Sequence, residues 1–161
     1  MGKNTMMNEK NKFMKAILAG KYVEAKLLSI AILPHEKFYN FIIGLGFDTG
    51  SIALYTFVCF LLTENESPQM HQLAAVLIAQ ALSHLDGAYS AGLFHARKAV
   101  ELAKNDNNML YKEYLLLFYD IPEQLLDASE AEQIAHDILQ IDSHNKTAIN
   151  VIRDIKKKRI L

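Results

Sequence analysis

The run Leu139-Gln140-Ile141-Asp142-Ser143-His144-Asn145-Lys146-Thr147-Ala148 constrains the fold more than any other part of the chain. An apolar-periodic segment stops at Ile141, a polar corner comes next, and Ala148 opens the next apolar pattern. A helix that ends, turns within a few residues and restarts folds back on its predecessor, so the chain must be built from antiparallel helical hairpins.

Composition agrees with this. Hydrophobic residues make up 51% of the 161 residues and charged residues 22%, with 3 prolines and 7 glycines, and the segments between them are rich in Ala, Leu, Lys, Glu and Gln. Those are strong helix formers, in a chain apolar enough to build a packed core. One cysteine, Cys59, excludes an internal disulfide, and its setting in Phe57-Val58-Cys59-Phe60 predicts a small buried hydrophobe. Asn8-Glu9-Lys10-Asn11-Lys12 interrupts any signal-peptide core near the amino terminus, and Met6 stands where a myristoylation pattern needs Ser or Thr. The expectation is a cytoplasmic protein. Residues 38–62 are the most apolar, but Gly44, Gly46 and Asp48-Thr49-Gly50-Ser51 divide them. They predict two buried helices and no membrane span.

Along the chain, Phe13, Ala16 and Ile17 mark the core side of a first helix starting near Asn8, stopped at Gly20. A second helix runs to Leu33, and Pro34 reads as the first-turn proline of a third that ends among Gly44 and Gly46. A fourth covers residues 51–63. Ser67-Pro68 then caps a helix whose Met70, Leu73, Ala74, Leu77, Ile78 and Ala81 form one face. Val76, Ala79, Leu82 and Leu85 fill much of the rest, which predicts a central helix covered on several sides. After the Asp86-Gly87 corner a helix through Lys104 aligns Gly92, Ala96, Ala99 and Ala103, a small-residue stripe that admits close approach. A polar loop at residues 105–108 precedes a helix to about Tyr119, and Pro122 breaks the chain soon after it. Ser129-Glu130-Ala131-Glu132 matches a capping box ahead of Ala131, Ile134, Ala135, Ile138 and Leu139. The last helix, opened by Ser143, presents Ala148, Ile149, Ile152 and Ile155 to the core and ends in Lys156-Lys157-Lys158-Arg159, cations suited to a helix carboxyl terminus.

The expected fold is therefore all-α: eight or nine helices in antiparallel hairpins, forming a short solenoid or an irregular bundle. Residues 1–161 form a single helical domain, less regular over 1–65 and more repetitive over 66–161. The alanine that starts the helix at 131, the Leu139-Gln140-Ile141-Asp142 ending, Asn145 and Ala148 resemble the tetratricopeptide repeat family over residues 66–155, with Ser143 where that family has proline. Gly20-Lys21-Tyr22-Val23-Glu24-Ala25 and Gly87-Ala88-Tyr89-Ser90-Ala91 are related corners 67 residues apart, about two periods of roughly 34 residues. The resemblance implies stacked hairpins and a peptide- or protein-binding role.

Motifs for catalysis are weak. His35, His71, His84, His95, His136 and His144 include no pair at four-residue spacing and no two-histidine helical motif, so they read as scattered rather than metal-ligating. Gly44-Leu45-Gly46-Phe47-Asp48-Thr49-Gly50 lacks the spacing and the lysine of a phosphate loop and reads as a helix break. No Gly-x-Ser-x-Gly occurs, and apolar neighbours should raise the Cys59 pKa. The four-residue basic tail, in a chain of net charge −1, reads as a solvated helix end and not as a nucleic-acid surface. The expectation is a non-enzyme with no cofactor and no metal.

Charge is unevenly distributed. Between Lys112 and Lys146 there is no lysine or arginine, while Glu113, Asp120, Glu123, Asp127, Glu130, Glu132, Asp137 and Asp142 supply eight acids. The plain explanation is solvated faces and helix amino termini that favour anions. The functional explanation is an interface, with Tyr111, Tyr114, Tyr119, Asp120, Glu123, Asp127, Glu130 and Glu132 as its residues, complementary to a basic protein partner. By analogy, this points to a bacterial immunity protein that neutralises a toxin, such as a nuclease. The alternatives are a repeat-type chaperone or regulator that cradles a peptide, an enzyme assembled from dispersed residues such as His95 and His136 with nearby acids, and a homodimer formed through residues 38–62.

Overall fold

The computed structural model describes residues 3–32, 35–103 and 109–160, with side chains over 8–30, 37–103 and 109–160. Nine α-helices occur among the described residues, with no strand: α1 (Lys3–Leu18), α2 (Tyr22–Ile32), α3 (His35–Thr49), α4 (Ile52–Glu64), α5 (Pro68–Val76), α6 (Ala88–Leu102), α7 (Met109–Asp120), α8 (Ala128–Ile141) and α9 (Lys146–Lys158). The chain is all-α, as its composition requires. Pro34 and the loop at 105–108 lie outside the described residues.

Consecutive helices pack as hairpins, α1 on α2, α5 on α6, α6 on α7, α7 on α8 and α8 on α9. Two apolar cores meet on α5 and its extension to Ala81. Leu73, Ala74, Leu77, Ile78 and Ala81 join Phe13, Ile17, Ile42, Leu45, Leu54 and Phe57 in the first. Ala75 and Ala79 join Leu93, Leu116, Phe118, Ile138 and Val151 in the second. This is the central helix that its two-sided apolar pattern predicts. Ser67 caps it as expected, accepting from the Met70 amide, with Pro68 in the first turn.

The helix does not continue to the corner as regular α. Residues Leu77–Ala81 widen into a π turn, closed by the Leu82 amide donating to the Leu77 carbonyl at 3.0 Å. Gly46 of α3 and Gly92 of α6 both rest on this turn. A Cβ on Gly46 would stand 2.5 Å from Leu77 Cδ1 and 2.9 Å from Ala81 Cβ; one on Gly92 would stand 2.6 Å from Ala79 Cβ. The small-residue stripe of α6 thus does what its spacing predicts.

Three local expectations are corrected. Gly44 and Gly46 do not break α3, which runs on to Thr49 because Gly46 is a packing contact; the stop is Gly50, at φ +60°. The cap of α8 is Asp127, whose carboxylate accepts from the Ser129 and Glu130 amides, so Ser129 is already inside the helix. The cap of α9 is Asn145, accepting from the Ala148 amide, and not Ser143. Asp127 and Asn145 both have the extended backbone a cap requires. In α9, Val151 is buried and Ile149 only half-buried. Cys59 is half-buried rather than enclosed. Within residues 38–62, Ile42, Leu45, Leu54, Phe57 and Val58 are buried in the core, while Phe47 and Ile52 are exposed.

Candidate functional site

One face of α7 holds its helix in place and the other is left open. Leu115, Leu116, Phe118 and Tyr119 are buried, while Leu110, Tyr111, Tyr114 and Leu117 line a groove of about 570 Å³ closed by Gln72 of α5, Glu113 and Thr147 of α9. Leu110 is 70% exposed and Leu117 41%. Residues 110, 114 and 117 follow helical spacing, so they form one stripe. Hydration of that stripe is unfavourable, at roughly 25 cal/mol per Å² of apolar surface, and a partner's apolar surface would relieve it.

The groove also carries hydrogen-bond acceptors. The Gln72 Oε1 atom is buried and has no hydrogen-bond partner, a condition that costs about 1–3 kcal/mol when left unrelieved. Glu113 accepts from Asn145 Nδ2 while Asn145 Oδ1 caps α9, which fixes the carboxylate at the groove wall. Burial pushes the Tyr114 hydroxyl pKa well up. Tyr39 of α3 borders the same tyrosines, pushed up to about 12 by burial and by Tyr111. All three phenols are neutral at ordinary pH.

The expected interface residues do not gather on one surface. Tyr111 and Tyr114 line the α5–α7–α9 groove. Asp127, Glu130 and Glu132 line a different depression of about 970 Å³ between α6, α7 and α8. There Arg97 donates to Glu130 through Nε at 3.1 Å and through Nη2, Arg159 grips Glu132, and Lys112 pairs with Asp137 at 2.7 Å. Bonding to Arg159 and to Lys112 holds Glu132 and Asp137 below the usual carboxylate range. Asp127 and Asp142 bind amides at helix starts and turns. Tyr119 is buried and donates to Asp154 at 2.8 Å, also receiving Lys158 Nζ. Asp120 and Glu123 remain exposed beside the corner after α7; partial desolvation and the Asp154 carboxylate hold Asp120 above the usual range. Cations from outside the acid-rich segment fold back over it.

The histidines are not all scattered. His84, His136 and His144 are exposed, but His71 of α5 and His95 of α6 are 4% and 5% exposed and face one another, Nδ1 to Nδ1, at 2.8 Å. His71 Nε2 bonds Glu66 at 3.0 Å, and His95 Nε2 bonds the Tyr55 hydroxyl at 2.8 Å. The pair anticipated from sequence, His95 with His136, does not form; the partner of His95 is 24 residues back. A hairpin folding about residues 82–87 places position 71 opposite 95, so corner and spacing together carried that signal. Among the described residues no group of three or more His, Cys, Asp or Glu is placed to hold a metal ion, and no helix is long and apolar enough to cross a membrane. Burial raises the Cys59 thiol pKa, as its neighbours predict.

Comparison with protein families, characterised proteins and solved structures gives no match.

Proposed function

We propose that the chain is a non-catalytic interaction protein that seats an apolar, donor-bearing segment of a protein partner in the α5–α7–α9 groove. The observation that carries this reading is the coincidence, in one groove, of the exposed Leu110 and Leu117 and the half-buried Tyr114 with the Glu113 carboxylate and with Gln72, whose buried Oε1 atom has no partner. An apolar body with a lysine, arginine or amide donor complements the leucines and the Glu113 carboxylate, because aromatic and aliphatic anchors beside a few fixed polar groups are what specific binding surfaces use. The helical hairpins and the tetratricopeptide-like corners are consistent with such a cradle. The buried His71–His95 cluster favours a non-catalytic reading, since all four ring nitrogens are already bonded and none is presented as a base.

Two forms of the proposal differ in the partner. In one, the groove takes extended peptides, as a chaperone or regulator would. In the other, the partner is a folded basic protein such as a bacterial toxin, which the chain neutralises in the cytoplasm, with Asp120 and Glu123 adding attraction from the exposed corner. The internal ion pairs of Glu130, Glu132 and Asp137 favour the first. The discriminating experiment measures affinity for short apolar-basic peptides and for a basic nuclease domain, across a salt series, using the native chain, Leu110→Asp/Leu117→Asp, and Asp120→Lys/Glu123→Lys. Peptide binding lost only in the leucine variant supports the groove. A steep salt dependence abolished only in the lysine variant supports the toxin form and refutes the peptide form.

A further inference from the structure

The hydrogen bonds around His71 and His95 admit one arrangement when both rings are neutral. A carboxylate can only accept, so His71 carries its proton on Nε2 toward Glu66 and offers a lone pair at Nδ1. His95 must then donate from Nδ1, leaving Nε2 to accept from the Tyr55 hydroxyl. The result is a single directed chain, Tyr55 to His95 to His71 to Glu66, joining α4, α5, α6 and the α4–α5 corner through two buried rings. Phe94 packs edge-on to both, at 6.4 and 5.1 Å between centroids.

We propose that this cluster is a proton-operated latch between α4, α5 and α6. One added proton is accommodated. It goes to His71, which then donates from both nitrogens, to Glu66 and to His95; His95 moves its own proton to Nε2, and Tyr55 turns its hydroxyl toward the Cys59 thiol, its other neighbour. The new positive charge faces the half-exposed Glu66 carboxylate. A second proton has no place: it puts an N–H on each of two nitrogens 2.8 Å apart, between two cations in a buried setting. The pair must separate, and with it the packing of α5 against α6.

The charged and titratable groups around the pair are few. They are Tyr55 and Cys59 from α4, Glu66 from the corner, and Lys98 from α6, which faces Glu66 and is itself bonded to Glu101. Burial, and then the proximity of His71, depress His95 to about 4. Titration within the pair is coupled, so its protons come off in two steps that belong to the pair.

The test is a long-range proton–nitrogen NMR titration of the imidazoles in the full chain from about pH 8 to about pH 4, spanning the ordinary histidine range, with His84, His136 and His144 as exposed references. The latch predicts an Nδ1–H tautomer at His95 and an Nε2–H tautomer at His71 near neutral pH. On acidification, amide exchange in α5 and α6 accelerates by roughly tenfold or more only as the second proton enters the pair. Glu66→Ala, which removes the acceptor that fixes the His71 tautomer, should abolish the tautomer bias at His95. Independent titration of both rings alongside the exposed histidines overturns the proposal, as does an unchanged His95 tautomer in the alanine variant. Should that variant not fold, the native titration decides alone.

Discussion

Gly44 and Gly92 stand inside helices, yet the same substitution should act on them in opposite directions. Glycine in a helix interior costs roughly 0.5–1 kcal/mol relative to alanine. A Cβ on Gly44 meets nothing within 4 Å, so Gly44→Ala should stabilise the chain by up to about that amount. A Cβ on Gly92 enters the space of Ala79 and lies 3.1 Å from the Phe118 ring. Overpacking of this kind costs about 1–3 kcal/mol, which outweighs the helix gain, so Gly92→Ala should lower the urea midpoint. Equal shifts of the same sign would contradict the packing described. At His95 the consequence is one of pH. Its folded-state pKa lies near 4, below the ordinary 6.5, so the unfolded chain binds the proton first. The stability His95 contributes is present above about pH 6.5 and lost as pH falls toward 4. Chemical denaturation across that window should show a steeper acid loss in the native chain than in His95→Gln.

Helix starts offer the clearest test at the level of elements. Asp127 binds two amides of α8, and losing such a cap costs about 0.5–2 kcal/mol. Asp127→Ala should therefore destabilise, whereas Ser129→Ala, exposed and within the helix, should shift the thermal midpoint little. The reverse ranking would restore the serine-led capping box. Apolar periodicity located the helices and assigned Phe13, Leu73, Ile78, Ala131 and Ile138 to the core, because burial is imposed along one stripe of each helix. Cap identity was less legible where two polar residues compete, since only backbone geometry chooses between Asp127 and Ser129. The π turn at Leu77–Ala81 left no mark in the periodicity. It lies between the opposed approaches of Gly46 and Gly92, which are far apart in sequence.

In the whole molecule, the acid-rich segment and the groove separate two kinds of surface. The acids looked like a single negative face because their partners, Arg97, Lys112 and Arg159, come from other parts of the chain. Folding pairs Glu130, Glu132 and Asp137 internally, while Asp120 and Glu123 stay exposed. The groove was only half visible in sequence: Tyr111 and Tyr114 stood out, but Leu117 was masked by the adjacent Leu115 and Leu116 that do enter the core, and Gln72 acquires its meaning only from burial. The most direct measurement of the central claim is an amide chemical-shift titration of the isotopically labelled chain with an amphipathic peptide carrying leucine and lysine side chains. The account predicts saturable shifts confined to Gln72, residues 110–117 and Thr147, absent in Leu110→Asp/Leu117→Asp. Shifts centred instead on Asp127, Glu130 and Glu132, or equal binding by the leucine variant, would contradict it.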